Sequence, residues 1–156
     1  MTYPKDPVPT SVPASATWLG AAGVLPFLAC AAVALYGGIG SALRAEALQV
    51  MVLYGAVILS FLGGARWGLA MQHPSIEIQA RGFALSCIPA LVAWFSTFLT
   101  DGWALALLGA AFAVQGAWDA YDAGRFHIPK WYGALRVWLT LTVTAILALT
   151  LVAIGL

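Results

Sequence analysis

Four ionisable residues stand where a membrane chain has least reason to carry them. Arg66 and Arg136 fall inside apolar stretches, and Asp119 and Asp122 close a third one, three residues apart. A charge within a membrane span is costly, so it marks a site or a structural pair. Arginine can hold a carboxylate through two parallel hydrogen bonds, and the attraction strengthens as water is excluded. The expected chemistry is therefore pairing of Arg66 and Arg136 with Asp119 and Asp122. A polar ladder continues it: Tyr132, Arg136, Thr140 and Thr144 recur every fourth residue, which places them on one helix face. Two readings stay open. The cluster is either an ionic lock between helices or the lining of a pocket for a small polar or anionic molecule, with Trp94 in its wall.

The elements that carry these residues follow from composition. Of 156 residues, 62% are apolar and 8% are Asp, Glu, Lys or Arg, about a third of the roughly 25% typical of a soluble domain. Too few charges remain to cover a water-facing surface. A net charge of +1 gives no basic patch for nucleic acid. The class that remains is an all-α, polytopic membrane protein.

Five segments have the length and apolarity of spans: Thr17 to Ile39, Ala47 to Met71, Ala80 to Leu99, Gly102 to Ala120 and Tyr132 to Ile154. They form a single domain over residues 17–156. Residues 1–16, with Pro4, Pro7, Pro9 and Pro13, read as a flexible tail. That tail lacks the basic start and cleavage site of a signal peptide. With five spans, Lys5, Arg66, Arg81, Arg125, Lys130 and Arg136 share one side, and Arg44 alone marks the other. The positive-inside rule then places the N-terminus in the cytoplasm and the C-terminus outside.

Helix packing in lipid relies on small residues. Ala56, Ser60, Gly64 and Gly68 make such a stripe on the second span, with Arg66 on the opposite face. Ala106, Gly109, Ala113, Ala117 and Ala120 make another on the fourth. Pro26 and Pro89 interrupt the first and third spans and are expected to bend them. Cys30 and Cys87 lie at different depths, so a disulfide is not expected. Most of the seven tryptophans sit near span ends, as an aromatic belt requires. His73 and His127, in loops without a thiolate or carboxylate motif, give no metal site. No cofactor is implied, and no nucleophile–base pair points to an enzyme.

The run Tyr54-Gly55-Ala56-Val57-Ile58-Leu59-Ser60-Phe61-Leu62-Gly63-Gly64-Ala65-Arg66-Trp67-Gly68 resembles the signature of the domain of unknown function 3429 family. Leu25-Pro26, Ile88-Pro89, Ala93-Trp94, Pro129-Lys130-Trp131-Tyr132 and Leu135-Arg136 fit the same pattern. The resemblance implies a small multi-span protein of a bacterial inner membrane, or of the mitochondrial inner membrane in a eukaryote. It implies no activity. In span number, length and tryptophan content the chain is also similar to the tryptophan-rich sensory protein family, which binds tetrapyrroles and sterols, but it lacks that family's Trp-x-Pro-Pro run. The leading expectation is a non-enzymatic binding, assembly or accessory protein of the inner membrane, in a complex or a homo-oligomer. The alternative is a small transporter or ligand-binding protein with its pocket between the second, fourth and fifth helices.

Overall fold

The computed structural model describes residues 11–38, 40–123 and 128–155. Lys5, Arg125, His127, Ile39 and the prolines at 4, 7 and 9 lie outside them. Five helices follow one another: α1 (Ala14–Tyr36), α2 (Ala42–Ala70), α3 (Ile76–Ser96), α4 (Asp101–Asp122) and α5 (Lys130–Ala153). The protein is an all-α polytopic membrane protein. α1, α2, α3 and α5 are long and apolar enough to cross a bilayer. α4 has a similar length, 22 residues, which at 1.5 Å per residue spans ~33 Å. It is the least apolar of the five because it holds Asp101, Gln115, Asp119 and Asp122.

Local signals set the helix ends. Ser41 opens α2 by accepting the Arg44 N–H at 3.2 Å on its side chain, which satisfies one of the unpaired donors of the first turn. Pro13 and Pro129 precede α1 and α5, where a missing N–H is harmless. α1 therefore begins at Ala14, three residues inside the segment expected to be a flexible tail. Pro26 and Pro89 lie within continuous helices.

The helices form a ring in chain order, closed by α1 against α5, with α2 and α4 touching across it. That diagonal divides the bundle. On one side α2, α3 and α4 meet as a trio. On the other, α1, α2, α4 and α5 surround a wider space, filled partly by aromatic rings. Phe27 meets Tyr54 and Phe112 edge-on, with centroids 5.0 and 6.0 Å apart. The Tyr54 hydroxyl donates to the Gly23 carbonyl at 2.9 Å, joining α2 to α1.

Apart from Ala56 and Gly109, the small residues that bring helices together are not those of the expected stripes. Gly64 is exposed, and a side chain at Gly64 or Gly68 would meet nothing within 4 Å. Gly63 makes the contact instead: a Cβ there would lie 2.5 Å from the Ser86 carbonyl oxygen of α3. Of the expected stripe only Ala56 is buried, while the Ser60 hydroxyl bonds back to the Ala56 carbonyl at 2.8 Å. The inward face of α2 is Ala56, Leu59, Gly63 and Arg66, so Arg66 lies on the packing face rather than opposite it. On α4, Ala113 and Ala117 are exposed. Its close contact is at Gly116, where any side chain would collide with Thr140 of α5. Gly109 faces Leu147, and Ala123 faces Gly133. The partners 109/147, 116/140 and 123/133 step by seven along both helices, the repeat of an antiparallel coiled seam.

Candidate functional site

The polar cluster forms near one end of the bundle. Asp119 is its centre and is 2% exposed. Its Oδ1 accepts from Arg66 Nη1 at 2.7 Å and from Gln115 Nε2 at 3.2 Å; its Oδ2 accepts from Arg136 Nε at 2.8 Å. Arg66 also donates through Nη2 to Asp122 Oδ2. α2, α4 and α5 are thus joined through one carboxylate, although α2 and α5 do not themselves pack together among the described residues. Arg66 is 9% exposed and Arg136 7%, so both pairs are withdrawn from water. Two arginines against two aspartates leave the cluster neutral.

α4 builds the site by helical spacing. Gln115, Asp119 and Asp122 are four and three residues apart and so share a face. Trp118 flanks them, and the Arg66 guanidinium carbon sits 3.6 Å from its ring centroid. That is a cation–π contact, which strengthens when desolvated. Arg66 is held between an aromatic face and two carboxylates. Arg66 lies four residues before the end of α2, Asp119 three before the end of α4, and Arg136 six into α5. Helix rise puts all three ~5–9 Å below the same rim.

The structure brings Arg66, Asp119, Asp122 and Arg136 together. Thr140 lies beside them, buried against Gly116, with its hydroxyl oxygen making no hydrogen bond. Tyr132 is half-buried next to Trp131, and its phenol makes no hydrogen bond among the described residues. Thr144 turns to its own helix, donating to the Thr140 carbonyl at 2.7 Å, the usual alternative for a hydroxyl in a membrane helix. Trp94 does not belong to the site. It is 63% exposed on α3 and packs on Phe98, because the inward face of α3 is Ser86, Pro89, Ala93 and Ser96. The sequence did not place Gln115 or Trp118 in the cluster, although Trp118, with Trp94, stands away from the span ends as a tryptophan that could line a cavity, and it lines one. Gln115 was readable as the residue four before Asp119; the ring stacking of Trp118 left no signal in spacing.

Two cavities flank the cluster. One, of about 250 Å³, lies between α2, α3 and the end of α4, with Arg66, His73, Arg81, Trp118 and Asp122 in its wall. The other, of about 330 Å³, lies on the wider side of the ring, with Arg136 and Thr140 in an otherwise apolar wall. Among the described residues no three of His, Cys, Asp and Glu come together to hold a metal ion, and Cys30 and Cys87 are both free.

The match to known proteins falls on this frame. The family model described as "Protein of unknown function (DUF3429)" matches residues 12–152, which contain the five helices, but for the last residue of α5, and the whole cluster. The chain belongs to the DUF3429 family. It is 34% identical over 143 residues to transmembrane protein 69 of Xenopus tropicalis, covering 88% of this chain and 53% of that protein. With transmembrane protein 69 of Mus musculus it shares 31% identity over 104 residues, 64% of this chain and 41% of the relative. The chain thus spans about half the length of the curated relatives it matches. No solved structure matches it.

Proposed function

We propose that this DUF3429 protein is a non-enzymatic binding, assembly or accessory protein of its membrane, working in a complex or as a homo-oligomer. The observation that carries this reading is the charge pairing of Arg66 and Arg136 with Asp119 and Asp122. Each carboxylate faces an arginine at hydrogen-bond distance. Charges committed in this way hold three helices at a fixed spacing. They are poorly placed to shuttle protons or to bind a solute by turns. The cavities lie beside the cluster and not within it, which weighs against a polar translocation path through α2, α4 and α5.

We place the protein in a bacterial inner membrane, or the mitochondrial inner membrane in a eukaryote. Its N-terminus lies in the cytoplasm, and the cluster sits in the leaflet on that side. Extraction from native membranes in a mild detergent, followed by mass spectrometry of the intact assembly, tests the proposed role. The expected result is a protein partner, or a second copy, at fixed stoichiometry. A chain recovered alone and carrying a water-soluble metabolite would contradict it.

A further inference from the structure

Arg136 is under-used. It is 7% exposed and lines the apolar cavity, yet only its Nε makes a hydrogen bond, to Asp119. Neither terminal nitrogen has a hydrogen-bond partner among the described residues, and Nη2 is fully buried. Leaving charged donors unpaired in a dry setting is unfavourable. Apart from Arg136, the wall has one polar side chain, the Thr140 hydroxyl, which is turned toward Gly116. The rest is apolar and includes Val24 and Phe27 from α1, Ile58 and Leu62 from α2, Phe112 from α4 and Val143 from α5.

The space itself opens toward lipid. Its volume, about 330 Å³, is at the low end of the ~300–1,000 Å³ of small-molecule sites. It holds part of an extended apolar molecule rather than a compact solute. Leu19 and Phe61, both in its wall, are exposed on the outer surface of α1 and α2, so the rest of such a molecule continues into the bilayer. Charge narrows the head group. Arg136 is already balanced by the carboxylates, and the four-residue cluster is neutral. A full anion would unbalance it where screening is weak; a neutral oxygen acceptor would not.

We propose that the cavity between α1, α2 and α5 binds a membrane amphiphile with an apolar tail and a neutral carbonyl, the carbonyl accepting hydrogen bonds from Arg136. A glycerolipid ester and an isoprenoid quinone share this chemistry. The site goes beyond the accessory role and does not depend on it.

The full-length protein in liposomes tests this with three photoactivatable diazirine probes: a diacyl phospholipid labelled beside its ester, an isoprenoid benzoquinone, and a plain long-chain hydrocarbon. Labelled residues are mapped by mass spectrometry. A carbonyl-bearing probe is expected to label Val24, Ile58 or Val143 about ten-fold more than the hydrocarbon, the ratio expected from one charge-assisted hydrogen bond. Whichever carbonyl probe does so names the source. Ile58→Trp, which fills the cavity and leaves the ion pairs alone, is expected to abolish the labelling. Arg136→Lys, which keeps the charge but loses the fork, is expected to reduce it. Equal labelling by the hydrocarbon, or labelling unchanged in Ile58→Trp, would overturn the proposal.

Discussion

Asp119 accepts three hydrogen bonds from three side chains on three helices, and its neighbours differ in how much depends on them. Removing one partner of a buried ion pair costs roughly 3–5 kcal/mol, because the remaining charge stays buried and uncompensated. Arg66→Leu strands Asp122, leaves Asp119 with Arg136 and Gln115 alone, and removes the Trp118 contact, so it is expected to cost that much in detergent unfolding. Asp122→Asn leaves the Asp119 pairs intact and is expected to cost less than Arg66→Leu in the same assay. Thr140→Val preserves shape and removes a hydroxyl that bonds to nothing; its expected cost is under about 1 kcal/mol. A larger loss would mean that the hydroxyl has a partner. The pairing of these charges was legible in the sequence, because an arginine and an aspartate at similar depth in neighbouring spans have few other ways to be satisfied. The misplacement of Trp94 has an equally physical cause. Trp94 follows Ala93 by one residue, a rotation of about 100° on a helix. That step separates the packed face of α3 from its exposed one.

At the scale of the elements, the sequence Leu62-Gly63-Gly64-Ala65-Arg66 offers two adjacent glycines, and only one can face α3. Spacing by fours picks out Gly64 with Gly68, and the structure uses Gly63. The charge decides it. Arg66 exposed to lipid costs more than any glycine contact gains, so Arg66 turns inward and carries Gly63, three residues earlier, with it. Small-residue periodicity thus located the close-packing helix and missed its face. Substitution separates the two readings. Gly63→Ala places a methyl against the Ser86 carbonyl and is expected to lose ~1–3 kcal/mol through overpacking. Gly64→Ala has open space and is expected to be neutral or to gain up to ~1 kcal/mol in helix propensity. Thermal unfolding of the two variants side by side checks this, and a greater loss at Gly64 would restore the outward stripe as the packing face. Gly116→Ala, which collides with Thr140, is expected to behave like Gly63→Ala.

The whole molecule is a ring of five helices braced across its middle by α2 and α4, and the ion cluster adds α5 to that brace. Composition alone made the membrane class and the five helices readable, because thirteen charged groups, seven basic and six acidic, cannot cover a water-facing surface. The ring order and its two unequal halves were not readable, since an apolar helix face does not say which neighbour covers it. The proposed orientation, N-terminus in the cytoplasm and C-terminus outside, rests on the bias of basic residues. A reporter fused after Leu156 that is active only outside the cytoplasm is expected to be active; activity of a cytoplasm-only reporter at that position would reverse the orientation. On the proposed reading, Arg66 and Asp119 lock α2 to α4 as a pair. A double-mutant cycle measures it most directly, with the unfolding stability of Arg66→Leu, Asp119→Leu and the double variant compared in one detergent. Coupling of ~2 kcal/mol or more is expected, with the double variant more stable than the sum of the single losses allows. Additive losses, within about 0.5 kcal/mol, would contradict the lock.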